Sequence, residues 1–269
     1  MKKTGLLLLL LALFSGSCEK DEFTYDFPEL DQLLISITRT TADAEFKTEF
    51  KYDSLNRLEE TQNIYSDGQS TVESYFYNEA GKIEKKIRGS YMSIYSYNSK
   101  GQVIEENMYY LEHDNEYERN TKTEFKYKNG KISKGIIFSA EGKIMSYISY
   151  KYDSRGNMLE KTVRTTDNVS DFILSETNFR YDKNVNPHAG LGMSMFSGFF
   201  YAQNPDLIQV NNPVYYSYEN VLLSSIPPVF EISYEYALNG LPIKATLNNI
   251  RFSGQEPINV VYEYRDITN

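Results

Sequence analysis

Phe50-Lys51-Tyr52-Asp53-Ser54-Leu55-Asn56-Arg57-Leu58 sets a pattern that the rest of the chain keeps returning to. An aromatic residue, any residue and a tyrosine lead into a short polar turn, and a polar then an aliphatic residue lead out. Tyr75-Phe76-Tyr77 with Gly81-Lys82-Ile83 repeats it, as do Tyr95-Ser96-Tyr97 with Gly101-Gln102-Val103 and Phe125-Lys126-Tyr127 with Gly130-Lys131-Ile132. Tyr150-Lys151-Tyr152 with Gly156-Asn157-Met158 follows, and looser copies occur at Phe179-Arg180-Tyr181, Tyr216-Ser217-Tyr218, Tyr234-Glu235-Tyr236 and Tyr262-Glu263-Tyr264. A unit recurring every ~20–30 residues is a supersecondary element that buries its apolar face only by stacking on its neighbours.

The unit reads as a β-hairpin. In Lys47-Thr48-Glu49-Phe50-Lys51-Tyr52 the charges take one face, and Thr48, Phe50 and Tyr52 take the other. Lys122–Lys128 is laid out the same way. One buried and one wetted face mark an antiparallel sheet. Turns such as Asn98-Ser99-Lys100-Gly101 begin with a side chain that bonds its own backbone and end on a residue suited to the left-handed region. Roughly 14–18 strands result, and an open sheet that wide exposes edges unless it curls or closes. The expected fold is all-β, an antiparallel meander of hairpins curled into a barrel or half-barrel.

The 24 Tyr and 15 Phe, against no Trp, suit half-buried strands. The formal charge of −9 becomes −11 once Lys2 and Lys3 are set aside, which disfavours nucleic acid as a partner. Those two lysines precede the apolar run Leu6–Phe14, and Ser15-Gly16-Ser17 stands immediately before Cys18, the chain's one cysteine. A charged head, a short apolar segment and small residues form an export signal; the apolar run is too short for a membrane span. The arrangement resembles a bacterial lipoprotein signal, in which Cys18 is acylated and becomes the mature N-terminus. An ordinary secretory leader with an incidental cysteine is the alternative. Residues 1–17 are thus read as signal peptide, 18–31 as lipidated cysteine and tether, and 32–269 as one β-repeat domain. Cys18-Glu19-Lys20-Asp21-Glu22 resembles the Lys-plus-acidic signals that carry Bacteroidota lipoproteins to the outer face of the outer membrane.

The hairpins resemble the tyrosine–aspartate repeats of Rhs-type shells, most clearly at Tyr52-Asp53 and Tyr152-Asp153-Ser154-Arg155-Gly156-Asn157-Met158-Leu159. Leader, repeats and Tyr181-Asp182-Lys183-Asn184-Val185-Asn186-Pro187 together look like a Bacteroidota lipoprotein family of unknown function with a porin-like barrel. That resemblance implies a fold and an envelope location. It brings no catalytic residues.

From Asn184 to Pro213 the repeat is interrupted. Leu191, Met195 and Phe199 fall at i, i+4, i+8, with Phe196 and Phe200 beside them, so a short helix near 190–202 is expected to plug the curled sheet. His113 lies in a polar loop and His188 follows Asn186-Pro187; neither has the partners of a metal site or a nucleophilic triad. Asp53-Ser54-Leu55 resembles a short glycosylation site on Ser54, and equally is the start of a turn. Most acids stand beside a lysine or in a turn, where cross-strand pairing accounts for them. Tyr91, Tyr95, Tyr97, Tyr109 and Tyr110 cluster within twenty residues, and such amphipathic rings bind sugars and peptides. The expectation is a non-catalytic, cofactor-free and metal-free envelope module, lipid-anchored through Cys18, with a glycan, lipid or peptide ligand. A glycan hydrolase using paired carboxylates is the alternative.

Overall fold

The computed structural model describes residues 31–111, 116–166, 171–188, 210–221, 226–252 and 254–267. Among them run sixteen strands: β1 (Gln32–Thr40), β2 (Glu45–Tyr52), β3 (Leu58–Ile64), β4 (Ser70–Tyr77), β5 (Ile83–Arg88), β6 (Tyr91–Tyr97), β7 (Val103–Leu111) and β8 (Tyr117–Lys128). They continue with β9 (Lys131–Ser139), β10 (Ile144–Tyr152), β11 (Met158–Thr166), β12 (Asp171–Val185), β13 (Asn211–Asn220), β14 (Val229–Tyr236), β15 (Pro242–Asn249) and β16 (Ile258–Asp266). Each pairs antiparallel with the next, and β1 pairs with β16, so the meander closes into a barrel. Closure removes the edges that an open sheet of this width would expose. No helix occurs among the described residues, and the expected plug residues Leu191, Met195, Phe196, Phe199 and Phe200 lie outside them, as does Cys18.

The turns that follow the aromatic–x–tyrosine repeats gather at one end, called the base here. At Asp53 the carboxylate accepts from the backbone N–H of Leu55 and of Arg57, both at 2.9 Å. Asn56 takes the left-handed conformation at φ 58°, the place that Gly81 and Gly101 fill in the following hairpins. After the turn every one of these hairpins skips a residue. The register passes from Lys51↔Glu60 to Tyr52↔Leu58, leaving Glu59 unpaired, and the same shift occurs at Tyr77, Tyr97, Tyr127, Tyr152 and Tyr236. Such a bulge flips the facing of everything beyond it.

Among the described residues, the second tyrosine of six units ties its hairpin to the strand before it. Its hydroxyl donates to a backbone carbonyl at the base of the preceding strand: Tyr52 to Leu34 (2.5 Å), Tyr77 to Leu58 (2.6 Å), Tyr97 to Ile83 (2.5 Å) and Tyr127 to Val103 (2.8 Å). Tyr181 to Met158 (2.7 Å) and Tyr264 to Pro242 (2.8 Å) do the same, while in Tyr234-Glu235-Tyr236 the first tyrosine donates to Pro213 (2.9 Å) and Tyr236 donates to the Asp182 carboxylate. The first aromatics, among them Phe50, Tyr75, Tyr95, Phe125 and Tyr150, are buried one step further inside, in an apolar cluster that draws on all sixteen strands.

Candidate functional site

The bulges decide what the interior carries. Beyond each one, the odd-numbered strand presents to the inside the residue three after its leading aliphatic: Thr61 opposite Phe50, Lys86 opposite Tyr75, Glu106 opposite Tyr95 and Lys161 opposite Tyr150. Directly paired residues of an antiparallel sheet share a face, so these polar groups stand among the aromatics. Glu73, two residues before Tyr75, joins them and is only 5% exposed. Its carboxylate accepts from the Tyr75 hydroxyl at 2.5 Å and pairs with Lys86 Nζ at 3.5 Å. Glu106 accepts from the Tyr95 hydroxyl at 3.1 Å. Burial and the adjoining carboxylates hold the Tyr75 and Tyr95 hydroxyls protonated, well above the ordinary phenol range. Burial pulls Lys161 down to about 8, against the opposing pull of Glu106. Both carboxylates therefore face inward, Glu73 in step with Tyr75 and Tyr77, and Glu106 through the bulge.

A second polar group sits across the barrel. The chain leaving β12 turns inward, and Asn186, Pro187 and His188 are buried. His188 meets Phe50 of β2 edge-on, with ring centroids 6.1 Å apart. Counted round the closed sheet, β2 lies six strands from β12, so the connection has crossed the interior. Arg39 of β1, paired with Phe46 on the inward face that also carries Thr48 and Phe50, acts electrostatically on His188 and donates from Nη1 to Thr48 Oγ1 at 3.2 Å. Thr48 in turn donates to Asn63 Oδ1 at 2.9 Å. Burial pushes His188 down to about 3, helped by the positive charge of Arg39, so the imidazole is neutral at physiological pH.

The five tyrosines singled out by their spacing do not form one surface. Tyr95 is buried inside beside Glu106, and Tyr97 belongs to the ring of hydroxyls at the base. Tyr91 and Tyr110 lie opposite each other at the far rim, 45% and 38% exposed, with rings 5.1 Å apart. Tyr109 pairs with Met92 on the outer face. Of the histidines, His188 is interior and His113 lies outside the described residues. Ser54 is exposed at the tip of its turn.

No family model matches the chain, and no curated protein matches it. Solved structures do. A porin-like protein from Bacteroides uniformis superposes with a TM-score of 0.56 at 13% identity, covering 88% of this chain and 98% of that one. A porin-like protein from Bacteroides vulgatus gives 0.53 at 14% identity, covering 88% and 100%. The fold is that of the porin-like barrels. At this identity the likeness extends to architecture, and the side chains inside the barrel have to speak for themselves.

The outer wall carries ion pairs. Lys51 pairs with Glu60 at 2.5 Å, Lys151 with Glu160 at 2.7 Å, Lys122 with Glu124 at 2.7 Å and Lys244 with Glu235 at 3.7 Å, all on outward positions. Between them, Lys85 lies over the Phe76 ring, Lys134 over Tyr147 and Arg180 over Tyr215.

Proposed function

We propose that this protein is an envelope lipoprotein, tethered to the outer membrane through Cys18 and facing the cell surface, whose barrel holds a ligand in its interior and conducts nothing across a bilayer. The observation carrying this reading is the make-up of the two faces: ion pairs among exposed apolar residues such as Val72, Ile173 and Val261 outside, and aromatic rings with a small set of charged groups inside. Ligand sites have that composition, with large apolar contact and a small number of orienting polar atoms. Glycan, lipid and peptide all suit tyrosine-rich walls. The test is a screen of glycans, lipids and peptides against the chain from residue 19 onward, read by calorimetry and thermal shift. Binding that weakens in Tyr95→Ala supports the reading; a fully negative screen overturns it.

Glu73 and Glu106 keep hydrolysis in view, because a glycosidase needs two inward carboxylates ~5–9.5 Å apart with one acting as an acid. Here each already accepts from a tyrosine hydroxyl, and Glu73 is also neutralised by Lys86. Such pairing suits a structural role better than proton donation. Cleavage of any glycan in the screen, lost in Glu106→Gln, would replace binding with catalysis.

A further inference from the structure

We propose that Arg39 and His188 form the recognition point for a carboxylate on the ligand, an inference that rests on the interior-binding reading above. Arg39 faces inward near the top of β1, opposite Phe46 on β2 and Val260 on β16. The residue is half-buried, and the register turns it toward the interior. Thr48 takes one of its five donors, and no carboxylate lies within ion-pair distance of it among the described residues. His188 is 3% exposed, and neither Nδ1 nor Nε2 has a hydrogen-bond partner. An unpaired guanidinium beside an imidazole with two idle nitrogens is costly in a low-dielectric interior, and buried polar groups are otherwise satisfied.

Charge sets the class of ligand. Arg39 supplies one positive charge and the neutral His188 one N–H donor, which balances a single negative charge. A phosphate dianion would leave excess charge buried, whereas a carboxylate has the planar pair of oxygens that an arginine fork accepts. The wider interior leans the same way. Register places Arg39, Lys86, Arg88 and Lys161 inside against Glu73, Glu106 and, at the rim, Glu118, in a chain whose formal charge is −9. Phe50 and Tyr262 adjoin the site and offer rings to whatever body carries the carboxylate. A uronic-acid glycan and a fatty acid both meet this description.

The experiment is calorimetry on the full-length protein in mild detergent, with tri-galacturonate and octanoate as probes. The methyl ester of the first, octanol and inorganic phosphate are the controls. At least one acid should bind while its neutral counterpart does not, and which acid binds separates glycan from lipid. Arg39→Gln should weaken binding about thirtyfold or more, and His188→Gln about tenfold. Arg39→Lys keeps the charge but loses the fork; it should bind several-fold more weakly and supplies the answer if Arg39→Gln does not fold. Without ligand, Arg39→Met should melt at the same or a higher temperature, because it removes an unpaired charge, whereas a purely structural arginine would show a lowered one. Failure of both acids, an ester binding as well as its acid, phosphate outcompeting both, unchanged affinity in the arginine variants or a destabilised Arg39→Met each overturns the proposal. A neutral ligand from the wider screen that still binds Arg39→Gln would leave the interior-binding reading standing and remove only the carboxylate site.

Discussion

Lys161 carries its ammonium group into the barrel, and that placement makes stability depend on pH. Burial lowers its pKa from 10.5 to about 8. The unfolded chain therefore binds this proton more tightly than the folded one across that interval. Stability attributable to Lys161 is lowest below about 8 and rises as the pH climbs from there toward 10.5. Lys161→Met should be more stable than wild type at neutral pH, with the gap narrowing at about pH 9.5, as read from denaturant midpoints. Lys131, also pulled down to about 8 by burial, is present in both proteins and cancels from the comparison. A gap that stays constant between the two pH values would place the ammonium outside the barrel. The sequence makes Glu73 readable as interior, since plain alternation back from Tyr77 and Tyr75 reaches it. Glu106 and Lys161 are not readable that way: alternation from Val103 and Met158 points inward to Glu105 and Glu160, and only the bulge shifts the inward position by one. His188 has no local signal, because what buries it is the path of the chain across the interior.

The hairpin is the element whose logic the repeat encodes, and its tyrosine joins one unit to the next. Leu58 pairs with Tyr52 across its own hairpin, while its carbonyl receives the Tyr77 hydroxyl from the hairpin that follows. Tyr77→Phe keeps the ring and leaves that half-buried carbonyl short of one donor. The expected cost is about 1 kcal/mol, or ~2–4 °C in melting temperature. Tyr109→Phe, altered on the outer face where no hydroxyl bond holds the ring, should melt with the wild type. Equal melting temperatures for the two variants would show that the hydroxyls do not tie the hairpins together. Turn chemistry and alternation made the strands and their antiparallel order legible from residues alone, including the first turn, where Asn56 serves in place of glycine. The hydroxyl-to-carbonyl bonds were not legible, because they connect residues 14–24 apart across a register that the bulges set.

At the scale of the whole molecule, closure leaves one surface for the outside, and its chemistry decides the medium. The repeat implied a curled sheet; that it closes is settled by the pairing of β1 with β16, which no local pattern encodes. On a lipid-facing barrel, a lysine or arginine at the bilayer midplane costs about 2–4 kcal/mol. Lys51, Lys85, Lys122, Lys134, Lys151 and Arg180 all project outward from strands around the circumference. Their exposed ion pairs contribute only about 0–1 kcal/mol each in water, far too little to offset that penalty in lipid. The membrane attachment proposed here therefore rests on the acyl chains at Cys18, and a single substitution separates anchor from barrel. Membranes carrying the wild-type protein should retain it through a high-salt and carbonate wash. Cys18→Ala should instead appear in the detergent-free soluble fraction with the same far-ultraviolet circular dichroism. Retention of Cys18→Ala in washed membranes, with detergent needed to extract it, would mean that the wall itself sits in lipid despite its charges, and the interior would then have to be reconsidered as a pore.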